Sequence, residues 1–259
     1  MMITALTCHE VQLDYGSGRE VAPISELVFD VPLYTAADAA RILGVPTSTF
    51  AAWAKGYTKR LPEGRTITGS PIVTCLPAAG NTPTVPFVGL AEALVLTAFR
   101  RTGVSLQRIR PALAELERHI GLEHALASRA LFTDGLDVLY DYGEHHQGSD
   151  AGRGALQLVV VTGGQRVFVP VIADYLRRIE YGDDGYPVRI RVPGYEQAEV
   201  VADPTRSFGA PIFERGGARV EDVLERFWAG DSIQDLTAEF GVPADQVEDL
   251  VRVASRRAA

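Results

Sequence analysis

The stretch from Leu33 to Tyr57, LYTAADAARILGVPTSTFAAWAKGY, constrains this chain more than any other. Thr35 is suited to open a helix, because its hydroxyl can accept from an amide of the first turn that has no partner inside the helix. Ala36 to Leu43 then place Ala39, Ala40 and Leu43 on one face. Gly44 follows where the chain must turn, and glycine takes the left-handed backbone without strain. Thr47 or Ser48 is expected to cap a second helix with Phe50 and Trp53 as its apolar ridge. A small residue at Ala40, a glycine four later and a bulky apolar residue six beyond that make the packing pattern of a helix-turn-helix. The small residue lets the helices cross closely and the bulky one locks the second onto the first, which leaves the second helix to read DNA. An ordinary helical hairpin inside a larger core fits the same residues.

The solvent face favours DNA. Thr47, Ser48, Thr49 and Lys55 can reach base edges or phosphates, and Arg41, Lys59, Arg60 and Arg65 surround them. From Leu33 to Arg65 five basic residues stand against Asp38 and Glu63, within a chain of net charge −8. A pI near 5.2 argues against indiscriminate polyanion binding, so any DNA contact must be local. Thr58 to Pro86 follows, rich in Gly, Pro and Thr. Its runs Thr66-Ile67-Thr68 and Pro71 to Cys75, with Pro62-Glu63-Gly64 as a turn, predict a hairpin, which after a reading helix would serve as a wing.

With 259 residues, 46% of them hydrophobic, the chain can bury a sizeable core in one large domain or two to three small ones. Two cysteines, Cys8 and Cys75, give neither a disulfide framework nor a metal pair, so a reduced, cytoplasmic protein is expected. No apolar run is long enough for a membrane span. Residues 1–30 are weakly patterned, and Cys8 with His9 is too little for a metal site. Residues 31–150 read as the DNA-binding domain. In it Leu90, Leu94, Ala98 and Phe99 predict an apolar stripe on one helix. A second helix, capped by Ser105, carries Leu106, Ile109, Leu113, Leu116 and Ile120, with Arg108, Arg110 and Arg118 on its polar face and Arg100 and Arg101 just upstream. Asp141 to Asp150 holds His145-His146 beside Glu144, and a solvated linker is expected there. Residues 151–200 read as a β-rich connector. Two hairpins turn at Gly163-Gly164 and at Asp183-Asp184-Gly185, and a short helix spans Asp174 to Ile179.

Tyr34 to Tyr142 resembles the MerR-like winged helix-turn-helix at the N-terminus of certain VapB-type antitoxins. The matching segments are LGVPTSTFAAWAKG, FVGLAEALVLTAFRRTGVSLQRIRPALAEL and ALFTDGLDVLYDY, in that order. No long dimerising coiled coil follows, which sets the chain apart from metal- or drug-sensing MerR regulators. Residues 201–259 resemble the small antitoxin-associated DUF 433 family through Asp203-Pro204, Gly209-x-Pro211, Gly217-x-Arg219-Val220 and Ala229-Gly230-x-Ser232. Ala218 stands where that family usually has threonine, and the proline that usually follows is missing. The fold class expected is mainly α with small β elements (α+β): a winged helix-turn-helix domain, a short β-rich connector and a C-terminal three-helix domain.

That last block is itself helix-turn-helix-like, since LTAEFGVPADQV aligns with AARILGVPTSTF, glycine on glycine. Its charge is opposite: from Val220 to Leu250 nine acids stand against Arg226 alone. So acidic a surface repels a duplex carrying one charge per ~1.7 Å of axis. The first copy is therefore read as the DNA reader and the second as a protein-binding module, with Arg219, Glu221, Asp222, Glu225, Asp235 and Glu239 as candidate toxin contacts. The resemblance implies an antitoxin that binds a PIN-domain nuclease toxin and represses its own operon as a homodimer on operator DNA. A stand-alone transcriptional regulator is the alternative. No catalytic motif is present, so no enzyme, cofactor or metal is expected. A metal-dependent enzyme built on Glu144, His145 and His146 would be the remaining possibility.

Overall fold

The computed structural model describes residues 24–60, 64, 66–77, 82–121, 123–162 and 165–258. Cys8, His9, the Pro62-Glu63 turn, Arg65 and the Gly163-Gly164 turn lie outside the described residues. The fold is mixed, dominated by helices with small antiparallel sheets. A short α1 (Ile24–Phe29) leads into the helix pair α2 (Ala36–Leu43) and α3 (Thr47–Lys55), then the hairpin β1 (Tyr57–Arg60) and β2 (Thr66–Gly69). Two long helices follow, α4 (Phe87–Arg101) and α5 (Leu106–Ile120), and after them α6 (Ala130–Thr133), α7 (Gly135–His145) and α8 (Asp150–Leu156).

The core is organised around α4. Its residues are buried without interruption from Phe87 to Phe99, Glu92 and Thr97 included, so it is buried on every side and not along one stripe as its leucines predict. A helix buried all round needs partners all round: α1, α2, α5, α9 and β6 pack on it. The last two belong to the second half of the chain. There β3 (Val159–Thr162) and β4 (Gln165–Phe168) form a hairpin, α9 (Pro170–Leu176) follows, and β5 (Ile179–Tyr181), β6 (Pro187–Arg191), β7 (Val200–Ala202) and β8 (Ile212–Phe213) make a four-stranded antiparallel sheet in that order. The sheet runs across position 200, with Ile190 opposite Ala202 and Val200 opposite Phe213. The chain ends in α10 (Val220–Ala229), α11 (Ile233–Phe240) and α12 (Ala244–Ala258).

Two local expectations need correction. The short helix expected over Asp174–Ile179 starts earlier, because Pro170 supplies a preset φ at the first helical position and needs no N–H there. Asp141 to His145 is the end of α7 and not a linker. Nδ1 of His145 lies 2.6 Å from the Asp141 carbonyl and Nδ1 of His146 lies 2.9 Å from that of Tyr142, so one nitrogen of each imidazole is turned to the backbone four residues back. The residues after them fold as α8 against α7 and α5. Among the described residues no helix is long and apolar enough to cross a membrane.

Candidate nucleic-acid interface and the acidic module

The first helix pair is built from its caps. Thr35 Oγ1 accepts from the Asp38 amide at 3.1 Å and Asp38 Oδ2 accepts from the Thr35 amide at 3.3 Å, a reciprocal capping box. Gly44 turns the chain at φ 66°, and its N–H reaches back to the carbonyls of Ala40 and Arg41. The expected cap of α3 by Thr47 or Ser48 is not what forms. Pro46 occupies the cap position, and the amides of Thr49 and Phe50 donate to its carbonyl. Thr47 and Ser48 are thereby moved into the first turn of α3, exposed, with no capping bond to make. Phe50 and Trp53 are buried beneath them, in the same core as the small Ala39 and Ala40 of α2, on which α3 packs.

The wing forms, with a different first strand. Lys55 is the last residue of α3, and Gly56 swings the chain straight into β1. A side chain at Gly56 would stand 2.4 Å from the Gly69 carbonyl, so only glycine allows this close return. β1 pairs with β2 from Tyr57 opposite Gly69 to Arg60 opposite Thr66. The run Pro71–Cys75, expected as a strand, instead spends the amides of Ile72 and Val73 on the Trp53 carbonyl, which fastens the wing's return to the reading helix.

Thr47, Ser48, Thr49, Lys55, Lys59 and Arg60 thus come together along α3 and β1, all exposed except the half-buried Thr49. Arg41 does not join them. Its guanidinium lies 2.8 Å from Asp38 and 3.6 Å from Glu221, and its carbonyl accepts from Arg257. Two arginines of the α4–α5 polar face take its place. Arg100 Nη1 donates to Thr49 Oγ1 at 2.8 Å, and Arg110 Nη1 donates to the Ser70 carbonyl at 2.6 Å while lying over the Tyr57 ring. They were visible in the sequence as charges on a helix face, but nothing in their spacing showed that the face meets α3 and the wing.

Behind this surface sits a buried polar cluster. Glu92, on the all-buried helix, accepts from the amide and hydroxyl of Thr74 at 2.6 and 3.0 Å and lies 3.0 Å from His124 Nδ1. The bond to Glu92 raises the His124 pKa above the ordinary imidazole value, against the opposing effect of burial, with Glu92, Glu123 and Asp30 adding attraction.

In the C-terminal module the acids are mostly engaged. Arg219 lies 3.1 Å from Glu221 and 3.8 Å from Asp222. Arg226 lies 2.5 Å from Asp231 and 2.8 Å from Glu239. Asp235 accepts from the Ser232 hydroxyl at the start of α11. Among the described residues Glu225 makes no ion pair. Asp249 is not part of the acidic surface: it is 1% exposed and accepts from the amides of Glu196, Gln197 and Ala198 at 2.7, 2.7 and 3.0 Å. Burial pushes its carboxyl up, but those three amides and Arg252 outweigh it and hold the pKa below the ordinary value. Two large apolar side chains stay outside, Phe208 at 86% exposure and Trp228 at 60%. Ser207 and Phe208 are consecutive non-glycine residues at φ 47° and 53°, a conformation costing about 1–2 kcal/mol per residue. The Tyr34 hydroxyl donates to the neighbouring Gly209 carbonyl at 2.8 Å, which ties this loop to the entrance of the first helix pair.

Among the described residues no group of three His, Cys, Asp or Glu side chains is placed to hold a metal. Residues 32–113 match a family described as "Putative DNA-binding HTH domain". The chain is 46% identical over 228 residues to "Putative antitoxin VapB45" of Mycobacterium tuberculosis, covering 87% of this chain and 95% of that protein. It is 26% identical over 233 residues to the uncharacterized protein Rv2308 of the same organism, covering 86% and 90%. The crystal structure of Rv2018 from Mycobacterium tuberculosis superposes with a TM-score of 0.76 at 44% identity, covering 87% of this chain and all of that one. An antitoxin is a binding protein, so the relationship places the chain among binders and not among catalysts. At that identity over nearly the full length of both proteins, this chain belongs to the VapB-type antitoxin family and carries a helix-turn-helix domain in its N-terminal half.

Proposed function

We propose that this protein is a DNA-binding antitoxin that neutralises a PIN-type ribonuclease toxin and represses its own operon as a homodimer. The division of labour is a reader at 31–150, MerR-like in build, a connector at 151–200 and a DUF 433-like module at 201–259. One observation carries the reading. The two helix pairs share their local construction, yet Lys55, Lys59, Arg60, Arg100 and Arg110 gather at α3 and the wing of the first, while Asp235 and Glu239 of α11, with Glu221, Asp222 and Glu225 of the preceding α10, surround the second with acids. Hydroxyls and cations along a helix suit base edges and phosphates. Acids on α10 beside the exposed Trp228 of the same helix suit a basic protein surface with an apolar anchor. Arg219 serves that surface by orienting Glu221 and Asp222.

The test uses the full chain, because a piece starting at Val201 would take β7 away from its partner β6. Co-expression with the product of an adjacent nuclease reading frame should give a stable complex. Trp228→Ser with Glu225→Lys should lose the toxin and keep the duplex, whereas Lys55→Ala with Lys59→Ala should do the reverse. Loss of both ligands in either variant, with the fold intact, would contradict the split.

A further inference from the structure

A cleft of about 210 Å³ lies where the turn of the first helix pair meets the C-terminal helix α12. Arg101, Arg256 and Arg257 line it with Gly44, Gly194 and Val253, and no carboxylate belongs to its wall. In a chain of net charge −8, three arginines lining one cleft with no acid in its wall are a local concentration of positive charge.

Two of the three are held in place from behind. Arg257 Nη1 donates to the Arg41 carbonyl at 3.0 Å and Nη2 to the Pro193 carbonyl at 3.4 Å, with the guanidinium over the Tyr195 ring. Arg101 lies 5.3 Å from the centroid of the Tyr175 ring. Gly44 and Gly194 bring only backbone up to Arg257, since a side chain at Gly194 would stand 3.0 Å from Nη2. Arg256 is exposed and makes no ion pair among the described residues. Last-turn arginines complement the negative end of a helix wherever they point. That accounts for arginines ending α4 and α12, but not for both sets meeting in one cleft.

Its position gives the cleft a ligand. Gly44 is the turn immediately before α3, and Arg100, next to Arg101, bonds Thr49 on α3. The cleft therefore flanks the N-terminal end of the reading helix, as the wing with Lys59, Arg60 and Arg110 flanks its C-terminal end. We propose that the cleft binds a backbone phosphate of the duplex read by α3, with Arg101 and Arg256 as ligands and Arg257 as the fixed charge behind them. The C-terminal helix is then part of the DNA clamp, although the module it belongs to is acidic. This rests on the DNA-binding reading above.

The experiment measures binding of the full chain to a duplex of ~40 base pairs (about four helical turns) from upstream of its own reading frame, and to a scrambled duplex, across a salt series. Arg101→Gln with Arg256→Gln should weaken both duplexes by a similar factor and lower the slope of log K against log salt by about 1, the signature of one phosphate lost. Both residues are exposed, so the fold should survive, and Arg256→Lys should restore most of the slope. If the double variant keeps the wild-type affinity and slope while Lys55→Ala loses both, the cleft proposal fails and the DNA reading stands. If the wild type binds neither duplex, both fail. If the double variant loses thermal stabilisation by inorganic phosphate but keeps the duplex slope, the cleft takes a small phosphorylated ligand and the proposal is overturned.

Discussion

The two helix pairs, α2–α3 and α11–α12, are nearly the same local object. Each opens on a hydroxyl that accepts from the amide of an aspartate three residues on, Thr35 with Asp38 and Ser232 with Asp235. Each runs eight residues to a left-handed glycine, Gly44 at φ 66° and Gly241 at φ 65°. Each then continues Val-Pro into a second helix whose inner face is fully or almost fully buried, Phe50 and Trp53 in one, Val247 and Leu250 in the other. What differs is what surrounds them. The first pair lies against the all-buried α4 and delivers a wing; the second extends α12 until its final arginines reach the first pair. The lesson is that cap, glycine and buried ridge specify a helix pair, while its use is decided by the residues facing water.

The largest expected effect tests that shared ridge. Phe50→Ala should cost about 3–5 kcal/mol, because a large fully buried ring leaves a cavity the closely crossed helices cannot collapse. Val247→Ala, at the matching place, removes two methyl groups and should cost about 2 kcal/mol. Urea denaturation of the full chain measures both. Equal losses would mean the two ridges do not differ in packing as their side chains do.

Next in size is a contrast in pH. Asp249 takes the place that Ala52 has in the first pair, and it satisfies three amides of the Glu196–Ala198 loop. Asp249→Ala should cost about 1–3 kcal/mol, mainly by leaving the buried Ala198 amide without a partner. Its folded pKa is lowered, so its contribution is full above the ordinary carboxylate value and is lost as pH falls through the folded value. His124 has the opposite sign. Its folded pKa is raised, so its contribution is full below the ordinary imidazole value and is lost as pH rises through the folded value. Thermal melts from ~pH 3 to ~pH 9, spanning both reference values, should show Asp249→Ala flattening the acid limb and His124→Gln flattening the alkaline one. Exchange of those two outcomes would refute the assignments.

The same residues show how far the sequence could be read. The cap at Thr35, the turn at Gly44 and the buried Phe50 and Trp53 follow from side-chain chemistry within a few residues and were legible; the cap of α3 was not, because Pro46 takes the position expected of Thr47 or Ser48. The burial of α4 on every side was not, because its partners α9 and β6 come from far along the chain and leave no mark on its own periodicity. Counting acids from Val220 to Leu250 overstated the acidic face for the same reason, since the partners of Asp249 lie some fifty residues upstream. The sequence around Arg41 suggests a phosphate ligand but holds no sign of its neighbour Glu221, 3.6 Å away on α10. Candidate site residues carried by α3 and the wing were legible; those supplied by α4, α5 and α12 depended on the tertiary fold.

A charge exchange sharpens the comparison at the DNA surface. Ser48 and Asp245 hold equivalent positions at the second residue of α3 and of α12. Ser48→Asp should weaken duplex binding roughly tenfold, about 1.4 kcal/mol, by placing a carboxylate where phosphate or base edges approach. Asp245→Ser should leave it unchanged. Weakening by both would mean that α12 approaches the duplex along its length and not only through its final arginines.

The smallest expected effect asks whether the two pairs are equally dependent on their caps. Thr35→Ala and Ser232→Ala should each cost about 1 kcal/mol. In both, the hydroxyl also donates at 2.6 Å to the carboxylate of the same aspartate, so the local loss is matched. The consequences should diverge. The turn ending α2 lies in the wall of the arginine cleft, and α2 itself fixes the crossing with α3, so a frayed α2 should lower duplex affinity along with stability. Among the described residues α11 makes no hydrogen bond or ion pair with the reader, so Ser232→Ala should lower stability alone. Paired measurement of denaturation midpoint and duplex affinity separates the cases. If Ser232→Ala weakened the duplex as much as Thr35→Ala, the C-terminal pair would be coupled to the reading helix through its whole body, and the division into a basic reader and an acidic binder would need to be redrawn.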